Sequence, residues 1–368
     1  MNKRFYVLDS FRGLAAIFVV MYHSHYLGTA TQWSFFRGSG LFVEFFFVLS
    51  GFVLTHGYAF KGKINFKTFF ISRTFRIFPL HITMLFVFLF LELGKLAASQ
   101  YGITFNNQPF TGGMSLSEFI PNMLLLQSWL PNTTTLSWNP TSWSISTEYY
   151  MYMIFYATLL LKQNLRYIAW AVISAITFYF IIKNIELGID FTRGLSSFFA
   201  GSLTYLFYKT YHQKVNFSTS IFTIIEVILV LLVIAIVSNR EIEHRSFLAS
   251  ILFIIQVFIF AFEGGAISKL LKLNLFTYLG KISYSIYLTH PAIIFIMLSI
   301  TIVSEKIFHS SFTLIALNKK TIDFGDTIYN NIALLLSLIT IIVLSNLTYK
   351  YIELKGQTIG NRIKDKMS

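Results

Sequence analysis

The sequence contains no cysteine. Disulfides, a thiolate nucleophile and any Cys-based metal site are therefore excluded. Charge is also scarce. Asp, Glu, Lys and Arg make up 12% of the 368 residues, against about 25% in ordinary soluble domains. Only six prolines occur, so most helices should run unbroken. No internal repeat or low-complexity tract is present. Apolar side chains are abundant instead: 55% of residues are hydrophobic and 41 are Phe, with a mean hydropathy of +0.64. This excludes an ordinary soluble enzyme and a disordered chain. In a bilayer the building unit is a helix of roughly 20 apolar residues. The chain accommodates about ten. The reading is an all-α, polytopic membrane protein with about ten transmembrane helices, forming one domain over 1–368.

The N-terminal MNKR is followed by an apolar stretch to about residue 27. Arg12 interrupts it and no small-residue cleavage pattern follows, so it reads as the first helix and not as a signal peptide. The other expected spans are about 40–58, 75–97, 144–161, 166–183, 192–209, 219–238, 246–263, 282–304 and 328–349. The fourth is the least defined, because the apolar run 119–130 could form a re-entrant segment. Basic residues number 29 and acidic ones 16, a net charge of +13. With both termini inside, about 19 cations fall on the inner side and about 8 outside. Lys61, Lys63 and Lys67 are typical inner-loop cations. The bias places both termini in the cytoplasm. Segment 98–143 becomes an extracytoplasmic loop or cap, nearly uncharged and bearing Trp129, Trp138 and Trp143. Its indoles are expected to anchor at the interface, or to stack on sugar faces.

A charged side chain at the bilayer centre costs about 2.5–3.5 kcal/mol on insertion scales, so intramembrane ionisable groups are functional candidates. Arg12 and His23 are eleven residues apart. Helical geometry puts them on nearly one face, about 16 Å apart along the axis. That is about the reach of an extended pantetheine arm. His23, Glu44, Glu148 and Lys95 come out at comparable depth in the outer half. A histidine beside a carboxylate has the arrangement of a general base. A structural polar cluster tying helices together is the other reading. Arg73 and Arg76 open the third span three residues apart, so one face can present both. Paired guanidiniums suit phosphate groups; topology-setting charge is the plainer reading.

These residues fall into a pattern that resembles the acyltransferase family 3 integral membrane proteins. Asp9-Ser-Phe-Arg12-Gly13 with Tyr22-His23 matches the family's Arg-x10-His. Phe46-Phe47-Val-Leu-Ser50-Gly51 matches its Phe-Phe-x-x-Ser-Gly, and Arg73-Thr-Phe-Arg76 its Arg-x-x-Arg. Trp143-Ser-Ile-Ser-Thr-Glu148 and Leu279-Gly280-Lys-Ile-Ser283-Tyr284-Ser-Ile-Tyr287-Leu-Thr-His290-Pro291 match two later signatures. The five in order cover nearly the whole chain. The resemblance implies an O-acyltransferase moving an acyl group, most often acetyl, from cytoplasmic acyl-CoA to an extracytoplasmic glycan such as O-antigen, capsule or exopolysaccharide. It implies His23 as the catalytic residue, Glu148 at or near it, and Arg12, Arg73 and Arg76 on the donor. Where the family often has Asp early in the second helix, this chain has Glu44. The chain stops soon after the tenth span, as in stand-alone members without an SGNH domain.

On this reading His23 takes the acceptor's proton, and Glu148 orients it or positions the sugar. A two-step route through an acylated His23 is the alternative. The oxyanion donor is left open among Lys95, Ser50 and a backbone amide. Glu44, Lys95, Ser50 and Trp143 are weaker candidates for substrate contact. Acyl-CoA, acetyl-CoA foremost, is a donor substrate and not a resident cofactor, and no metal site is expected. The expected location is a bacterial cytoplasmic membrane. A transporter or flippase of acyl groups or lipid-linked sugars is the competing function; it would favour broken helices at matching positions of two halves, and none is evident. A non-catalytic scaffold leaves His23 and Glu148 unexplained. Nucleic-acid binding is dismissed because the cations sit on the membrane face.

Overall fold

The backbone follows the apolar pattern. The computed structural model describes residues 3–62, 64–185, 188–316 and 319–367; Lys63 lies outside them. Among the described residues, ten long helices fall on the ten expected segments. They are α1 (Tyr6–His23), α2 (Phe42–Tyr58), α3 (Phe66–Gln100), α4 (Ser142–Leu159), α5 (Gln163–Ile182), α6 (Ile189–Tyr211), α7 (Thr219–Ser238), α8 (Arg245–Phe260), α9 (Asn274–Phe308) and α10 (Thr327–Thr348). A π-helical turn, Tyr349–Glu353, leads into an eleventh helix, α11 (Leu354–Asp365). The helices α3 and α9 are 35 residues each and continue through Pro79 and Pro291.

Six of these helical stretches are long and apolar enough to cross a membrane by themselves: Ser34–Tyr58, Phe66–Gln100, Gln163–Ile182, Thr219–Ser238, Asn274–Phe308 and Thr327–Asp365. The other four long helices are α1, α4, α6 and α8. Three of them carry acidic groups or ion pairs, namely Asp9 and Arg12, Glu148, and Asp190 and Arg193; α8 starts at Arg245 and has only 16 residues. Helices α1, α4 and α6 bury most of their length among neighbours, where contact with protein replaces contact with lipid, whereas α8 leaves Leu248, Ile251 and Ile255 exposed. By contrast α5 and α7 expose Ile168, Val172 and Ile176, and Ile224, Val227 and Leu231. Such apolar flanks suit hydrocarbon.

Side-chain pairs set the relative directions. Helices α1 and α9 run parallel, since Arg12 meets Ser283 and His23 meets His290. Helices α2 and α6 run parallel through Glu44–Arg193 and His56–Tyr205. Helices α2 and α4 do so through Phe47–Trp143 and Ser50–Glu148. Antiparallel are α3 with α4, through Phe69–Tyr156 and Phe78–Tyr149, and α9 with α10 and the π-helical turn that continues it, through Thr289–Ser345 and Ser285–Glu353.

Glycines bring two of these pairs to backbone contact. A Cβ on Gly13 would overlap the Leu279–Gly280 backbone, and one on Gly280 would overlap Asp9. Gly51 and Gly201 do the same for α2 and α6. Ahead of α1, Lys3 donates to Tyr208 Oη (2.5 Å) and to the Ala261 carbonyl (3.1 Å). Burial lowers its pKa; Glu263 opposes this and Lys272 adds to it. At the other end of α1 lies a departure from the all-α expectation. A hairpin of β1 (Thr313–Ala316) and β2 (Lys319–Ile322) pairs Thr313 with Ile322, and Ile322 bridges to Tyr26. Segment 98–143 includes the end of α3, 3-10 turns, one short helix (Phe119–Met123) and the start of α4. The run 119–130 therefore makes no spanning helix: Leu125 turns it with a positive φ of 57°.

Candidate active site

The close α1–α9 approach places the first site residue. Arg12 donates through Nε to Ser283 Oγ (2.9 Å) and through Nη2 to the Gly280 carbonyl (2.9 Å), and its Nη2 lies 3.4 Å from Asp9. Arg12, Arg73 and Arg76 line one solvent-open pocket with Phe46, Ser50, Ser144, Glu148, Tyr152 and Tyr287. Its lining on α2 runs from Phe46 to Leu54, eight residues or about 12 Å of helix.

The three guanidiniums differ. Arg73 donates to Tyr58 Oη (3.0 Å) and Ser72 Oγ (3.2 Å) and lies over the rings of Tyr58 and Tyr152. Arg76 lines the pocket, and among the described residues its guanidinium has no hydrogen bond or ion pair. Five N–H donors in a fork are thus available to an anionic ligand. The Glu353 carboxylate, held by Ser285 Oγ at 3.1 Å, is close enough for its charge to act on Arg12 and Arg76.

Glu148 lies midway along the pocket. Its Oε1 accepts from Ser50 Oγ (2.5 Å) and Tyr152 Oη (2.5 Å). At the far end Ser144 Oγ and Tyr287 Oη share a hydrogen bond of 2.8 Å. One turn further along α9, the ring of His290 lies 6.0 Å from that of Tyr287. His290 Nε2 is 3.1 Å from His23 Nδ1. His25 points elsewhere and meets Arg37 (2.8 Å).

Several expected pairings are corrected. Glu148 does not partner His23, because its carboxylate faces Ser50 and Tyr152. Glu44 is fully buried and accepts from Arg193 Nε (3.0 Å), Arg193 Nη2 (2.8 Å) and Ser246 Oγ (2.6 Å). Lys95 is buried against Glu92 at 2.6 Å, and Glu92 also accepts from the Phe110 amide. The supposed cluster of His23, Glu44, Glu148 and Lys95 is therefore divided among different partners. Trp143 lies under the Arg193 guanidinium at 5.2 Å. Trp138 is wholly buried, and Trp129 stacks on Phe191 at 5.3 Å and donates to the Ser146 carbonyl. The indoles of Trp129 and Trp138 are committed inside the protein.

Sequence reading brought five of the pocket's residues to notice: Arg12, Ser50, Arg73, Arg76 and Glu148. It missed the placement of His290, Tyr152, Tyr287 and Glu353. His290 and Tyr287 stood in a recognised signature without a role. Tyr152 is four residues after Glu148, a helical neighbour spacing that could have flagged it.

A family model described as an acyltransferase domain matches residues 5–351. Acyltransferase MdmB of Streptomyces mycarofaciens is 36% identical over 114 residues, covering 31% of this chain and 26% of that protein. Protein 2 in picA locus of Rhizobium radiobacter is 38% identical over 87 residues, covering 23% of this chain and 43% of that protein. The matched stretches thus span less than half of either relative. No solved structure matches.

Proposed function

We propose, from the premise that this chain belongs to the acyltransferase-domain family, that it moves an acyl group from cytoplasmic acyl-CoA to a hydroxyl of an extracytoplasmic surface glycan. Membership makes it an acyltransferase, and its apolar helices make it a multi-pass membrane protein. Donor, acceptor and direction are our reading. Acetyl is the acyl group we favour, and O-antigen, capsule or exopolysaccharide the acceptor class. The membrane is the bacterial cytoplasmic one, with both termini inside. Ten spans in serpentine order are supported by the directions above: α1/α9, α2/α4 and α2/α6 are parallel, α3/α4 and α9/α10 antiparallel. A ten-span serpentine requires each of these.

The observation that carries the reading is the unpaired Arg76 beside Arg73 and Arg12 in one pocket. These cations receive the phosphates of CoA by charge-assisted hydrogen bonds. The pantetheine arm then runs past Glu148 toward Tyr287. Glu148 fixes Tyr152, whose ring supports Arg73. His23 takes the proton of the acceptor hydroxyl. The alkoxide attacks the thioester carbon, the C–S bond breaks, and the leaving CoA thiolate takes the proton from His23, which returns to its neutral form. Acyl-CoA and the alcohol give ester and free CoA. Lys95 and Ser50 are both engaged, with Glu92 and Glu148 respectively. We therefore place oxyanion stabilisation on the Ser144–Tyr287 pair. Ser144 Oγ also lies 3.2 Å from the Thr141 carbonyl; with Ser144 donating to Tyr287, the Tyr287 O–H is left for the thioester oxygen.

The test uses purified full-length protein in lipid nanodiscs with labelled acetyl-CoA. Saturable binding that Arg76→Ala weakens is expected. Binding that no substitution of Arg12, Arg73 or Arg76 affects would contradict the donor site.

A further inference from the structure

We infer that His290 is a positioning residue that, together with the Val19 carbonyl, holds the tautomer of His23 and so creates the base. The inference rests on the reading of His23 as the proton acceptor. The hydrogen bonds carry it. His290 is fully buried, and its Nδ1 lies 3.0 Å from the Ile286 carbonyl. A carbonyl only accepts, so Nδ1 bears the proton and, in the neutral ring, Nε2 bears a lone pair. That Nε2 is 3.1 Å from His23 Nδ1, which is itself 3.0 Å from the Val19 carbonyl. Val19 also only accepts, so His23 Nδ1 bears a proton directed at both the carbonyl and His290. Every contact then has one donor and one acceptor. A proton on His290 Nε2 would instead point at the His23 N–H.

The consequence falls on the other side of the His23 ring. With Nδ1 protonated, the lone pair is at Nε2, which has no hydrogen bond among the described residues. That nitrogen is available to an acceptor hydroxyl. When it takes a proton, the imidazolium keeps its Nδ1–H on the His290 lone pair. His290 thus does with a neutral acceptor what a carboxylate does in a catalytic triad, holding the tautomer and steadying the charged ring. The close packing of α1 on α9 at Gly13 and Gly280 makes this cross-helix bond possible. Glu148, engaged by Ser50 and Tyr152, is not needed for it.

The test compares His290→Gln, His290→Asn and His290→Phe in the full-length protein. The Gln amide reaches the position of imidazole Nε2 and can accept from His23. Asn reaches only the Nδ1 position. Transfer from labelled acetyl-CoA to membrane glycan should fall about 100-fold or more for Phe and Asn. The Gln variant should stay within about tenfold of the parent, and KM for acetyl-CoA should be unchanged in all three. The ¹⁵N signals of His23 in nanodiscs, identified by their loss in His23→Ala, should report protonated Nδ1 and bare Nε2. In His290→Phe, where only the Val19 carbonyl remains to accept from Nδ1–H, a second population with protonated Nε2 should appear. An Nε2–H tautomer in the parent, a normal rate for His290→Phe, or equal losses for Gln and Asn would overturn the proposal. If His23→Ala still transfers, the base assignment itself falls, and the positioning role with it. If His23→Ala is silent and His290→Phe is active, only the positioning role falls.

Discussion

Arg76 is the site residue whose removal should be simplest to interpret, because among the described residues its guanidinium makes no hydrogen bond or ion pair. Arg76→Ala is expected to raise KM for acyl-CoA about 10- to 100-fold, the loss of one or two hydrogen bonds to a charged group, with the melting temperature unchanged. Steady-state kinetics beside a thermal melt check both. Lys95 should behave oppositely. Its ion pair with Glu92 is buried, 2.6 Å long and remote in sequence from the pocket lining. Lys95→Ala is expected to destabilise the protein by about 3–5 kcal/mol, as breaking a buried pair does, while KM for acyl-CoA in folded protein stays constant. Denaturant unfolding would show it. The contrast also marks what was legible at this scale. Residue type and spacing along one helix brought out Arg12, Arg73, Arg76 and His23. Partners contributed by other helices were not legible. Arg193 meets Glu44 across 149 positions and His290 meets His23 across 267, and helical periodicity carries no information about either. Glu92 was legible, three residues before Lys95, and depth alone led past it.

At the level of elements, the site depends on α1 and α9 touching backbone to backbone. Gly280→Leu should force them apart, breaking the Arg12–Ser283 and His23–His290 bonds together. A loss of about 1–3 kcal/mol from overpacking is expected, with transfer abolished. Gly94 is also inside a helix, but a Cβ added there would meet nothing within 4 Å. Gly94→Ala should be neutral or stabilise by about 0.5–1 kcal/mol. Melting both variants side by side tests whether contact, and not helix propensity, governs the difference. The same contrast explains the legibility of the elements. Ten apolar segments announced ten long helices because period and length are local properties. The ends were less legible: α3 extends nine residues before the expected start at 75 because Asn65 caps it, its side chain accepting from the Lys67 amide. The hairpin at 313–322 is held from outside, by Glu305 accepting from the Phe312 and Thr313 amides and by Tyr26. No strand-like alternation flanked by turn residues declared it.

For the whole molecule, six helices qualify alone as membrane crossings, and ten fit the contact directions. The chain has no cysteine, so single cysteines can be introduced against no background. In the ten-span arrangement Asn132 faces outside and Lys366 the cytoplasm. Cysteine at 132 should then react with an impermeant maleimide in intact cells, and cysteine at 366 only after lysis. A six-span chain would put both on one side and give equal labelling. Beyond topology, the central claim is that the molecule carries an acyl group across the membrane to a glycan with His23 as the base. The most direct measurement is mass spectrometry of surface glycan from cells that lack the protein, express it, or express His23→Ala at the same membrane level. A mass increment of one acyl group is expected only with the parent protein. The same increment with His23→Ala, or no acyl difference between cells with and without the parent protein, would contradict it.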